Sequence, residues 1–377
     1  MAAGIEGMKW GVGAALLAVW TGASVLAQEA PASAINPPAA PILAVSPWDW
    51  SLQLRAGGGY KDNLLISDFN KESSAFSLTE AELFVFRAPV DGWEFSGLLT
   101  AEDRRFWQSP TLDKEQTLLG NVDVRKGFAK IWKAGLNLQY YYTDQIFDAS
   151  VSEGLPLRIP AKGHRFSGGP WSQVALPGKM RLELSMPVAR QNFEVPLDDS
   201  WELGPKLLLG WTYGNRSDLT ASVQWKERTY DERASVFGRS LSLDIWNFET
   251  GVRHYWDAAR HWRSRAQAGL ELDSDNGGGF YNYRKWHFSQ SFDYVGNKIE
   301  AGVKARFSHY EFENQFVAPM GRARRLSEVT LGWRARKPIS KTWSLFAEGQ
   351  YEWALATDLT ERYNTATIWG GIEWAPK

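Results

Sequence analysis

The stretch from Trp132 to Thr143 reads WKAGLNLQYYYT. Taken at alternate positions, Trp132, Ala134, Leu136, Leu138, Tyr140 and Tyr142 form one row, and Lys133, Gly135, Asn137, Gln139, Tyr141 and Thr143 form the other. Successive side chains of an extended chain point to opposite faces, so a period of two predicts a strand with one apolar and one polar face. The apolar row carries aromatics at both ends and small or aliphatic residues between them. That order suits a strand crossing a bilayer, with rings at the two interfaces and aliphatics in the hydrocarbon. The polar row then faces a wet lumen.

The bulk composition permits this reading. The chain has 377 residues, 44% hydrophobic and 23% charged, with a formal net charge of -1 and a mean hydropathy of -0.36. Outside the N-terminal segment no apolar run reaches the roughly 20 residues a spanning helix needs. A membrane barrel passes that test unnoticed, because only every second residue of a strand meets lipid. The 20 Trp, 13 Tyr and 19 Phe supply interfacial girdles. Cysteine is absent, which removes disulfides, thiolate metal sites and lipid attachment through an N-terminal cysteine. The near-zero net charge gives no reason to expect nucleic acid.

Met8 to Ala27, MKWGVGAALLAVWTGASVLA, has the Lys9 start, apolar centre and small-residue end of a secretory signal, so residues 1–27 read as a signal peptide. Residues 28–47 are rich in Ala and Pro and read as an extended linker. From Trp48 to the C-terminus, through residue 377, alternation repeats. Trp48 to Gly57 opens the series and leads into GGGYKDN, Gly57 to Asn63. Hairpin turns follow at APVDG, GFAK, LPG, GNR, DAAR, VGN and KPIS, and the last strand is Tyr363 to Trp374. Roughly sixteen strands result, with short turns alternating with longer loops such as Gln145 to Arg158 and Glu311 to Ala323. The expected fold is an all-β, transmembrane, antiparallel up-and-down barrel; a soluble propeller or sandwich would use shorter strands.

The Gly-Tyr-x-Asp-Asn signature at Gly59 to Asn63 resembles the opening of several bacterial outer-membrane β-barrel families. These are β-barrel porins and the barrels of polysaccharide-export and surface-lipoprotein assembly proteins, whose helical-repeat domain has no counterpart here. The final strand, with Ala366, Ile368, Gly370, Ile372 and Trp374 in one row, resembles the aromatic-ended signal read by barrel-insertion machinery, although Ala375, Pro376 and Lys377 follow it. The resemblance implies an outer-membrane location in a diderm bacterium. Its partners would be membrane lipid and the insertion machinery, with periplasmic termini and extracellular long loops. The function it implies is a porin-like channel for small hydrophilic solutes. Two alternatives stay open: an export conduit for polysaccharide or lipidated protein, and a structural or adhesive barrel with a plugged lumen.

Alternation directs Arg253, Arg263, Arg265, Lys304, Arg306, Arg334 and Arg336 into the lumen, with Glu271, Glu300 and Glu348 among them. A basic stripe on a low-dielectric wall would favour anionic solutes; the competing reading is a set of cross-strand ion pairs. Trp93, Trp132, Trp262, Trp343 and Trp333 are expected near the short-turn interface, and Tyr142 and Trp353 at the other, where Tyr230 and Tyr310 are also placed. The five histidines show no ligand spacing and no nucleophile partner, so no enzyme, cofactor or metal is expected. Asp273, Asp275 and Asn276 ahead of Gly277 raise a calcium loop, but the run lacks a bidentate Glu.

Overall fold

A computed structural model describes residues 46–148, 151, 158–194, 197–214, 216–235, 237–317 and 321–376. The segment read as a signal peptide, nearly all of that read as a linker and part of the loop 145–158 lie outside the described residues. Eighteen strands are present among them: β1 Trp48–Lys61, β2 Ser74–Val90, β3 Trp93–Phe106, β4 Lys114–Gly127, β5 Trp132–Asp148, β6 Arg158–Leu176, β7 Met180–Ser185, β8 Val188–Phe193, β9 Ser200–Leu203, β10 Lys206–Tyr213, β11 Ser217–Ala234, β12 Ser240–Tyr255, β13 Trp262–Asp275, β14 Tyr283–Val295, β15 Glu300–Val317, β16 Arg322–Pro338, β17 Trp343–Ala356 and β18 Tyr363–Trp374. All neighbours pair antiparallel, and β1 pairs with both β2 and β18, which closes the sheet into a barrel with no free edge.

The wall has sixteen staves, because β7 and β8 are two halves of one and β9 and β10 two halves of another. The alternation between the turns at LPG and GNR predicts two unbroken strands, over 179–192 and 201–213, and the structure divides each in two. The ladder stops at Met186-Pro187 and again at Gly204-Pro205, while the register on either side is unshifted. The cause is proline: it has no N–H to give to the neighbouring stave.

A second correction concerns the first strand, which runs past Gly57 to Lys61 and pairs along its length with β18. The glycines permit it. A Cβ at Gly57 would lie 2.2 Å from the Gly370 carbonyl oxygen, and one at Gly59 would lie 2.4 Å from the Ile368 carbonyl oxygen.

The two faces of the wall have opposite character. Leu136 is 44% exposed and Val303 57%, although both lie mid-strand. Val223 and Ala268 share the outer face, opposite the exposed Phe248 and Phe288. Charged residues alternate with them and are buried: Glu373 is 0% exposed and Lys285 2%. A soluble protein would reverse this; outward-facing aliphatics around a buried charged interior make sense only when lipid surrounds the wall. Although Phe346 near the short turns belongs to it, most of the largest apolar cluster lies toward the long-loop end. There Leu64, Ile66 and Leu112 from loops join Phe76, Leu78, Phe106, Tyr310, Phe312, Leu326 and Tyr363 from strands.

Candidate functional site

The site is the lumen, and its chemistry follows from the inward row of each stave. On β1 that row places Arg55 between two acids across the closing seam. Its Nε donates to Glu373 at 2.7 Å and its Nη1 to Glu348 at 2.8 Å, with Glu80 at 3.4 Å. Arg336 on β16 reaches the same Glu373 at 2.6 Å and Glu300 at 2.7 Å. One chain of charges therefore ties six staves, from β15 through β18 and β1 to β2. Lys61 donates to Glu115 at 2.8 Å, bridging β1 to β4.

A separate network occupies the wall between β6 and β14. Glu202 accepts from Arg165 Nη2 at 2.5 Å and Arg228 Nε at 2.7 Å, and Tyr283 donates to Glu271 at 2.6 Å. Sequence reasoning concentrated on the later staves and missed Arg55, Lys61, Arg104, Glu115, Arg165 and Glu202. The same alternation marked them, since each shares parity with a lumen residue on its own strand.

The residues expected to line the pore all lie on the inward rows. Arg253 pairs with Asp218. Arg263 and Arg334 share one carboxylate, Asp293, at 3.2 and 3.0 Å. Gly302 makes that possible, since a Cβ there would meet Asp293 Oδ1 at 2.6 Å. Glu271, Glu300 and Glu348 belong to the networks already described. Arg265, Lys304 and Arg306 differ from the rest: among the described residues none makes an ion pair within 4.0 Å or donates a hydrogen bond.

Toward the long-loop end the inward rows of β2, β3, β15, β16 and β18 carry apolar side chains. Loop 62–73 folds in over them, held by Asn63. Its Nδ2 donates to the carbonyls of Ser67 at 2.9 Å and Asn364 at 2.8 Å, while its Oδ1 accepts from the Ser67 N–H at 3.1 Å. Asp62 accepts from the Ala366 N–H at 2.7 Å. The Asp-Asn end of the opening signature thus ties the first loop to the last strand. Glu72, at the far end of the loop, takes hydrogen bonds from the Ser109 hydroxyl and the Thr111 N–H. Burial opposes its ionisation, but the bonds from Ser109 and Thr111 outweigh it and hold the carboxyl below its ordinary value.

On the outer face Trp93, Trp132, Trp262 and Trp343 are exposed beside the short turns. Trp333 lies deeper, flat over Gly349, whose Cβ would meet its ring nitrogen at 2.4 Å. Tyr142 and Trp353 are half-buried toward the long loops, and Tyr142 packs on His164 with centroids 5.1 Å apart. Tyr230 and Tyr310 are not girdle residues. Both are buried inside the barrel, as their shared parity with Arg228 and Arg306 requires. Four histidines keep aromatic company, for example His254 with Tyr213 and Trp256. His287 faces Glu249 inside at 3.5 Å.

No group of three or more potential metal ligands occurs among the described residues. Asp275 spends its oxygens on the N–H groups of Gly277, Gly279 and Tyr281 at 2.6 to 2.7 Å, so it shapes the loop.

Fold and lumen together define a closed transmembrane β-barrel of sixteen staves. No protein family and no curated protein matches the sequence. Among solved structures the chain is similar to the outer membrane protein OprD from Pseudomonas aeruginosa, with 9% identity, a TM-score of 0.47, and 87% of this chain and 94% of that one covered. It is also similar to OccAB4 of Acinetobacter baumannii, with 9% identity, a TM-score of 0.47, and 88% and 98% covered. A bacterial polysaccharide outer membrane secretin gives 11% identity and a TM-score of 0.43, with 87% and 98% covered. At such identities the likeness is one of fold.

Proposed function

We propose that this barrel is a porin-like channel of the outer membrane in a diderm bacterium, passing small hydrophilic solutes passively or with weak selectivity. The observation that carries this reading is the inner face, where every stave presents polar or charged side chains inside an apolar outer wall. Such an interior stabilises water and ions where the bilayer excludes them. The usual topology of bacterial barrels would put the short turns and both termini in the periplasm. The test is electrical: purified protein added to a planar bilayer gives discrete conductance steps, and liposomes carrying it swell in small sugars. A folded protein that does neither removes the channel reading.

A second reading, a barrel whose lumen is filled and whose loops do the work, is favoured by the apolar layer under loop 62–73. It predicts no conductance from the intact chain.

A further inference from the structure

Inward cations are numerous in this wall, and nearly all are matched by acids. Arg55, Lys61, Arg165, Arg228, Arg253, Arg263, Arg334 and Arg336 each have a carboxylate within 4.0 Å. Arg265, Lys304 and Arg306 have none among the described residues, yet they are neighbours. Register places Arg265 opposite Ser291 and Ser291 opposite Lys304, so one hydroxyl stands between two cations on three adjacent staves. Arg306 follows Lys304 on the same face and stands opposite Ser289. Adjacent strands are about 5 Å apart, so the group fits within roughly 10 Å of wall.

The acids that could have compensated the group are committed elsewhere. Asp293 is shared between Arg263 and Arg334, and Glu352 takes the Gln350 amide. Glu328 and Glu352 act on Arg306 only from beyond ion-pair distance. Three like charges held together against a low-dielectric wall repel one another, and folding alone gains nothing from the arrangement. A bound anion removes that repulsion.

We propose that Arg265, Lys304 and Arg306, with Ser289 and Ser291, form a station on the lumen wall that binds a multiply charged oxyanion. Two guanidinium forks offer paired N–H donors to flat or tetrahedral oxygens, the lysine adds a mobile point charge, and the hydroxyls add directional donors. Phosphate is the simplest ligand of this chemistry, free or carried on a small organic solute. The station lies in the short-turn half of the lumen, below the apolar layer. It rests on the channel reading for its use, but its occupancy can be measured without conduction.

The experiment is calorimetric titration of inorganic phosphate, and separately of a sugar phosphate, into the full-length protein in detergent. Folding is checked by heat-modifiable migration on gels. Saturable binding is expected, and the triple variant Arg265→Gln, Lys304→Gln, Arg306→Gln is expected to lose at least about tenfold in affinity, or about 1.4 kcal/mol. Arg265→Lys with Arg306→Lys keeps the charge and retains most of the affinity. Arg105→Gln, outside the lumen where Arg105 pairs with Asp103, leaves it unchanged. Tighter binding of the sugar phosphate than of phosphate would identify the organic solute as the ligand; the reverse order would identify the free ion. No saturable binding by folded protein, or equal affinity in the triple variant, overturns the proposal. Loss of conductance with binding intact would instead count against the channel.

Discussion

Glu373 is wholly buried and accepts from Arg55 on one side and Arg336 on the other, so one carboxylate on the last strand holds both β1 and β16, the latter two staves away. Removing one partner of a buried ion pair leaves the other charge desolvated, at a cost of roughly 3 to 5 kcal/mol. Glu373→Gln keeps the shape and one acceptor oxygen, so a loss of about 3 kcal/mol is expected, read as a lower urea midpoint for the protein in liposomes. An unchanged midpoint would mean that the seam is held by its ladder alone.

A second residue, Asp257, works outside the membrane. In the short turn before β13 it accepts from the backbone N–H of Trp262 at 2.8 Å and of His261 at 3.1 Å. These bonds, that of Trp262 foremost and with the His261 ring beside them, hold its carboxyl below the ordinary aspartate value. A depressed carboxyl stabilises the fold above its unfolded value and loses that contribution as pH falls through the folded one. Amide exchange at Trp262 should therefore quicken on acidification beyond the change in intrinsic rate, and Asp257→Asn should abolish that excess. An excess that survives the substitution would assign it to another group.

At the scale of elements, the unusual staves are the three that carry Pro170, Pro187 and Pro205. The Met186 N–H donates to the Pro170 carbonyl at 3.1 Å, that of Gly204 to Pro187 at 3.3 Å, and that of Trp225 to Pro205 at 3.2 Å. Antiparallel pairs of this kind normally exchange two bonds. Each proline lacks the N–H that would return the second, so the carbonyls of Met186, Gly204 and Trp225 forgo it in one row across the wall. In hydrocarbon an unmade backbone bond is costlier than in water.

Pro187→Val would restore one of these bonds, and its net gain should be about 1 kcal/mol after the lost rigidity of the unfolded chain is deducted. Slower amide exchange at residues flanking position 187 and a higher urea midpoint would register it. A midpoint that falls would show that the kink is required for closure. The three prolines stand in the sequence, but that they share one row is a property of pairing, which a single sequence does not display.

Face alternation was legible because every stave repeats it and a slip of one residue would put Arg or Lys into lipid. The same rule, followed past the membrane-spanning part of β11 and β15, would have placed Tyr230 and Tyr310 inside. The expectation of an aromatic ring at the interface overrode parity there. Which inward cations are compensated was not legible at all. That depends on register between strands far apart in sequence, as when Asp293 on β14 meets both Arg263 on β13 and Arg334 on β16.

Across the whole molecule the lumen is unevenly lined. Arg265, Lys304 and Arg306 stand toward the short turns; toward the long loops an apolar cluster under loop 62–73 stands beside the ion networks of Lys61 with Glu115 and of Glu202 with Arg165 and Arg228. Ile66 in that loop has φ of 52° and is 4% exposed. A β-branched residue in the left-handed region costs about 1 to 2 kcal/mol. The strain persists because Ile66 and Leu64 are buried among Phe76, Leu78, Tyr363 and their neighbours, and because Asn63 fixes the turn. Burying two such side chains contributes roughly 1.5 to 3 kcal/mol each, enough to hold the loop in place. An apolar layer across part of an aqueous path resists wetting, and ions cross it poorly.

Leu64→Ser with Ile66→Ser removes the apolar anchor while leaving Asn63 and Asp62 at the closing seam. If the loop narrows the path, single-channel conductance should rise severalfold, with barrel folding unchanged on gels. The variant also separates the two functional readings. A channel conducts before the change and conducts more after it, whereas a filled barrel conducts only after it. A variant with the conductance of the original chain would place loop 62–73 outside the path, and the apolar layer would then be a stabilising core that water passes by.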